Sequence, residues 1–375
     1  MPALDGLRGI AVIAVVIGHS FVTVGSDRVE FLDHFMSMTL RLAVPYSIDL
    51  FFVISGYLIT AILYETRSAV NPIRTFYARR ALRIVPLYYG YLLLQHVIFP
   101  RASAGAFGDN PAWEWLFLTN VAMLGGTEAV GYVNAHFWTL SIEEQFYVLW
   151  PLAVILAPVK RLTWICVALI AGSFIARAML TMSGEGDIGW LLSPTRLDGL
   201  IAGGLVAILQ RRNIDTLRRW ARPVFRASGI FLVPGLLLVV GYGVWNIPGS
   251  LLNSFNLGYT GREIEIIFLP LVAAIFFASG TALLVMKNSG RERVLTNPRL
   301  LRIAEASYGM YVFHIPILIL LDGFWFTRIL ADYDLLNQIV VSLVTIYLSY
   351  KFGSFTWRKI EKPLVMKAPR YRYVD

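Results

Sequence analysis

Arg8 and His19 are the residues of this 375-residue chain whose type and position most demand a chemical explanation. Both lie in Leu4–Ser20, LDGLRGIAVIAVVIGHS, a run too apolar for a surface helix. Ionisable groups inside a membrane-length helix are costly and are functional candidates by default. On a helix the two share a face, about three turns and roughly 16 Å apart along the axis. That face carries a cation near one membrane surface and an imidazole deeper in the layer. Histidine is the usual general base near neutral pH. A carboxylate on its other ring nitrogen would fix the tautomer and stabilise the imidazolium. Asp49 and Glu143 are the candidates for that carboxylate, and the sequence does not choose between them.

A second constellation is cationic. FYARRALRIVPLYY places Arg79, Arg80 and Arg83 together. Arg80 and Arg83 are i and i+3 and share a helix face. Paired guanidiniums suit phosphates through bidentate hydrogen bonds, although such residues also anchor ordinary membrane helices to lipid headgroups. Glu144, Arg177, Arg196 and Asp198 are further ionisable groups in or beside apolar runs. Solvated helix ends explain Arg177 and Asp198 adequately. His314 follows Tyr308 and Tyr311 in a polar stripe and precedes Pro316, which can kink a helix. His136 and Trp138 are expected near the outer mouth. Membrane-interface belts are the commoner use of tryptophan. Gly56, Gly203 and Gly204 are expected to permit close helix approach.

The elements that must position these groups are membrane helices. Hydrophobic residues make up 57% of the chain and charged residues 15%, against about 25% charged in soluble domains. The reading is an all-α polytopic membrane protein forming one domain over 1–375. About ten spans are expected, near 5–24, 46–65, 81–99, 137–157, 161–181, 195–210, 225–244, 264–286, 304–323 and 336–356. The segment 113–124 is too short to cross and reads as interfacial or re-entrant. With a cytoplasmic N-terminus, 26 of the 33 Lys and Arg residues fall on the inner side and five on the outer side. That bias orients both termini to the cytoplasm. It also accounts for the net charge of +9 through anionic lipid rather than nucleic acid. On this topology His19, Asp49 and Glu143 share the outer half of the layer, where a common polar cavity is expected. The arginine cluster sits on the inner side. The single Cys166 gives neither an intrachain disulfide nor a cysteine metal site, and no metal is expected.

Read in register, six stretches resemble the prokaryotic acyltransferase-3 family of integral membrane acyltransferases. They are LDGLRGIAVIAVVIGHS with the Arg-x10-His pair, SIDLFFVISGYLIT (47–60), FYARRALRIVPLYY (76–89), FWTLSIEEQFYVLWP (137–151), RLDGLIAGGLVA (196–207) and SYGMYVFHIPI (307–317). The resemblance implies about ten helices and a multi-pass place in the bacterial cytoplasmic membrane. It implies an acyl-CoA donor, usually acetyl-CoA, and O-acylation of a carbohydrate or glycolipid acceptor. His19 is then the catalytic residue, with Glu143 carried over from W-T/S-L-x-x-E; Asp49 stays a catalytic candidate on the residue chemistry alone. Arg8, Arg80 and Arg83 become donor-binding residues. Trp138, Glu144, Arg196, Asp198 and His314 are candidates on the substrate side. Some relatives append an SGNH-type esterase-like domain. None is read here, so direct transfer or a partner protein is expected. Self-association is left open. The rival class is a proton-coupled transporter or glycan-lipid flippase, which would also hold histidine and carboxylates at mid-depth. The paired broken helices that would mark one are not found.

Overall fold

The structure is a computed structural model. It describes residues 1–23, 31–98, 110–126, 131, 133–245, 258–286, 290–322 and 334–366. Arg28, Arg101 and Arg328 of the expected outer side, Asp109 and Glu128 of its longest segment, and Lys367, Arg370 and Arg372 of the tail lie outside these residues.

Among the described residues there are ten helices of sixteen residues or more and no strand. They are α1 (Pro2–Thr23), α2 (Phe31–Thr66), α3 (Pro72–Ile98), α4 (Trp138–Leu156) and α5 (Val159–Met182). They continue as α6 (Leu197–Arg212), α7 (Ile214–Trp245), α8 (Gly258–Met286), α9 (Pro298–Asp322) and α10 (Asp334–Thr356). Six are long and apolar enough to cross a membrane: α1, α2, α5, α8, α9, and α10 with its extension to Val365. The helices exchange the usual sides for polar and apolar groups. Leu149, Leu156, Trp164, Met179 and Phe231 face outward, while Arg177 and Arg196 are fully buried. In lipid, apolar surface loses nothing by exposure, and polar groups must be satisfied inside the bundle.

Two boundaries matter for the site. α3 begins at Pro72, nine residues before the expected span start at 81. Arg80 and Arg83 therefore lie in its third and fourth turns. The segment 113–124 is two single turns, Ala112–Trp115 and Thr119–Ala122. Between them Phe117 has φ 54°, a left-handed conformation rare outside glycine. Its ring stacks on Tyr88 at 4.4 Å and its carbonyl accepts from Gln145 Nε2 at 2.9 Å. These contacts hold the strained turn.

α2 is the hub, packing on α1, α4, α6, α7 and α8. Its contact with α6 is backbone to backbone. A Cβ at Gly203 would lie 2.0 Å from the Val53 carbonyl oxygen, and one at Gly56 would lie 1.8 Å from that of Leu200. Only glycine admits this approach, as in small-residue packing of membrane helices. Phe52, Leu63, Ile142, Trp150, Cys166 and Leu200 close the core between α2, α4, α5 and α6.

Candidate active site

A cavity of about 310 Å³ opens between α1, α2, α3, α4 and α9. α1 contributes Arg8 and Val15, α2 contributes Ser55, and α3 contributes Arg80 and Arg83. Thr139, Glu143 and Tyr147 come from α4, and Tyr308 and Tyr311 from α9. Along α2 the lining runs from Ile48 to Ile62, about 21 Å of helix. The three arginines thus converge on one space from two helices. Among the described residues none of them closes an ion pair within 4 Å, and Arg80 Nε has no hydrogen-bond partner. A half-buried cation in this state favours an anion beside it.

The wall opposite the arginines is hydroxylic and acidic. The Arg80 guanidinium lies over the Tyr147 ring, 3.9 Å from its centroid. The Tyr147 and Ser55 hydroxyls hydrogen-bond each other, and both reach the Glu143 carboxyl. Arg80 and Arg8 are the cations whose field bears on Glu143. The outer and inner clusters expected from the sequence are therefore partly one. Glu143 belongs with the arginines, since it lines the same cavity as Arg8, Arg80 and Arg83.

His19 lies one turn beyond the cavity-lining Val15. One ring partner among the described residues is a second histidine. His19 Nδ1 is 3.1 Å from His314 Nε2, with the two ring centroids 5.0 Å apart. His314 Nδ1 is 2.7 Å from the Tyr311 carbonyl oxygen. His136 stands edge-on to His314 at 5.0 Å. The Tyr311 hydroxyl donates to the His136 carbonyl and lies 2.6 Å from Thr139 Oγ1. Among the described residues no group of three His, Cys, Asp or Glu side chains has metal-binding geometry, the histidine cluster included.

Asp49 is placed elsewhere. It accepts from Arg196 Nη2 at 2.7 Å, and the Arg196 guanidinium also lies over Trp190 at 4.4 Å. Arg177 pairs with Asp198 at 2.7 Å and donates to the carbonyls of Ile267 and Thr195. All four side chains are at most 2% exposed. Arg177 and Asp198 are thus a buried pair and not solvated helix ends. The four charges cancel and tie α2, α5 and α6 together, so for Asp49, Arg196 and Asp198 the geometry describes a structural role. Glu144 neighbours Arg80. Trp138 is half-buried against the core. Trp115 packs on Tyr89, whose hydroxyl donates to the Trp115 carbonyl.

Two groups of the site escaped the sequence reading. Tyr147 stands four residues after Glu143, on the same helix face, and that spacing was its signal. Glu361 is 2% exposed, lies in the π-helical turn Trp357–Glu361, accepts from Thr356 Oγ1 at 3.2 Å, and is in the field of Arg83 and Arg8. Single π turns cluster at functional sites, but only the folded chain reveals one.

The arrangement joins an anion-seeking cavity to an imidazole pair of which His314 is fully buried. The family model described as an acyltransferase domain, that of the acyltransferase-3 family, matches residues 1–354, and the chain belongs to this family. Among curated proteins it is similar to the O-acetyltransferase OatA of Staphylococcus aureus. In strains NCTC 8325 / PS 47 and COL the identity is 24% over 380 residues, covering 96% of this chain and 57% of the relative. The chain thus spans a little over half the length of the curated relatives it matches. No solved structure matches it.

Proposed function

We propose that the protein is a membrane O-acyltransferase. It moves an acyl group, acetyl in the simplest case, from cytoplasmic acyl-CoA to a hydroxyl of an extracytoplasmic or lipid-linked carbohydrate. The observation that carries this reading is the convergence of Arg8, Arg80 and Arg83 on one cavity, none of them in an ion pair among the described residues. Phosphates of the donor are the matching anions. From Arg8 the thioester arm follows α1 toward His19, about 16 Å away along the axis.

There the His19 imidazole takes the proton of the acceptor hydroxyl. The oxygen attacks the thioester carbonyl, the C–S bond breaks, and the proton passes to the departing thiolate. Prior acylation of His19 gives the same balance in two steps. Glu143, held by Ser55 and Tyr147, keeps Arg80 and Arg8 in place for the donor. Ten spans, both termini in the cytoplasm and the bacterial inner membrane complete the proposal, supported by the inward bias of Lys and Arg.

The test uses wild-type and His19→Ala protein in nanodiscs with radiolabelled acetyl-CoA. CoA release is followed with and without a crude envelope glycan fraction. Release that requires both His19 and glycan supports the proposal. Absence of acetyl-CoA binding and turnover under every condition overturns it and favours the transporter reading.

A further inference from the structure

The sequence asks for a carboxylate behind His19, and the fold supplies a second histidine. His314 comes from α9, 295 residues away, and is 0% exposed. The hydrogen-bond directions along this chain of atoms follow from its fixed end. The Tyr311 carbonyl oxygen can only accept, so His314 Nδ1, at 2.7 Å, carries the hydrogen. A neutral imidazole has one N–H. His314 Nε2 is therefore an acceptor, and the atom facing it at 3.1 Å, His19 Nδ1, must donate. His19 is then left with an unprotonated Nε2.

We infer that His314 is the positioning residue of His19, holding it as the Nδ1–H tautomer so that Nε2 is the basic atom. The inference deepens the acyltransferase reading and rests on His19 being its base. When Nε2 takes the acceptor proton, the Nδ1 proton can move to His314 Nε2, and the positive charge is shared between two rings. As the C–S bond breaks, the thiolate takes a proton from His19 Nε2, the His314 proton returns to His19 Nδ1, and both rings end neutral. No proton is gained or lost overall. A neutral partner also avoids burying a carboxylate charge in lipid-depth surroundings, where an isolated ion is far more costly than a hydrogen-bonded polar group. The fixed carbonyl of Tyr311 replaces the third member of an acid–base triad.

The test is 15N histidine NMR of the full chain in nanodiscs, with the His19 signals assigned by difference against His19→Asn. In wild-type protein His19 is expected with Nδ1 protonated and Nε2 unprotonated. His314→Phe removes the imidazole acceptor while the Val15 carbonyl stays beside the ring, so that signature is reduced. The kcat falls by about 100-fold or more, the scale of misdirected acid–base catalysis, while the acyl-CoA KM stays within twofold. In His314→Gln the side-chain carbonyl accepts from Nδ1, restoring the signature and part of kcat. Wild-type His19 protonated at Nε2, or an Nδ1–H signature unchanged in His314→Phe, overturns the inference. The spectrum needs no turnover, so the two readings fail separately. A correct tautomer together with full activity in His19→Ala overturns the base assignment and leaves the positioning intact.

Discussion

Arg80 and Tyr147 face each other across the cavity at 3.9 Å, guanidinium over ring, and the Tyr147 hydroxyl turns away to Ser55. One side chain therefore fixes the plane of a cation and the position of an acidic neighbour together. Replacing Arg80 with Lys keeps the charge but loses the planar fork. The expected loss is about 1–3 kcal/mol of donor binding, or roughly 5- to 150-fold in kcat/KM for acyl-CoA. Tyr147→Phe keeps the ring under the guanidinium and should cost less than Arg80→Lys. Initial rates at varied acetyl-CoA check the order; equal losses would mean that the hydroxyl matters as much as the fork.

Asp49→Asn separates a structural pair from a catalytic one. It leaves Arg196 buried without its counter-charge, which should cost about 3–5 kcal/mol of stability. Asp49→Asn combined with Arg196→Met removes both charges and should recover most of that loss. Thermal unfolding in nanodiscs reads the cycle. Protein that remains folded in the double variant should transfer acyl groups at near wild-type rate. Complete inactivity of folded double variant would return Asp49 to the chemistry.

Gly203→Ala puts a methyl 2.0 Å from the Val53 carbonyl oxygen, so α2 and α6 must separate. A loss of at least about 1–3 kcal/mol is expected. Gly90→Ala is the control. Nothing lies within 4 Å of its added Cβ, and mid-helix alanine should gain roughly 0.5–1 kcal/mol. Melting curves moving in opposite directions confirm the contact; a silent Gly203→Ala refutes it.

Glu114 sits in the single turn Ala112–Trp115 and is 1% exposed. Burial raises its pKa from an ordinary 4.5 to about 7. The folded state thus holds the proton more tightly than the unfolded one. The stabilisation is full below the ordinary value and is lost as pH rises through about 7. The melting temperature of wild type minus that of Glu114→Gln should therefore be highest near pH 5 and smaller by pH 8. A difference that grows with pH would contradict a neutral carboxyl in the fold.

The helices were legible because each is a local property. An apolar run of membrane length declares itself without knowing its neighbours, and Gly56 and Gly203 announced a close contact by their size. The pairings were not legible. Asp49 and Glu143 looked equivalent as partners of His19, since both precede or follow an apolar run at similar depth. What separated them was Arg196 reaching Asp49 and Ser55 reaching Glu143, contacts that span 147 residues and an interhelix gap. His314 read equally as a packing and a substrate-side residue, because its place beside His19 depends on α1 lying against α9. The start of α3 at Pro72 was not legible because helix starts in polar sequence carry no hydropathy signal.

The neutral quartet of Asp49, Arg177, Arg196 and Asp198 has a consequence for how the protein is made. Asp49 is synthesised 147 residues before its partner, and at about 5–20 residues per second this is a delay of roughly 7–30 seconds. During that interval α2 holds an ionisable group without its counter-ion, which is expensive in hydrocarbon. The nascent chain is therefore expected to keep α2 at the insertion machinery until Arg196 emerges. Truncated ribosome-bound chains ending before and after that point should then differ in crosslinking of α2 to the translocon. The ion pairs that lock the finished bundle also set the order in which it can leave its birthplace.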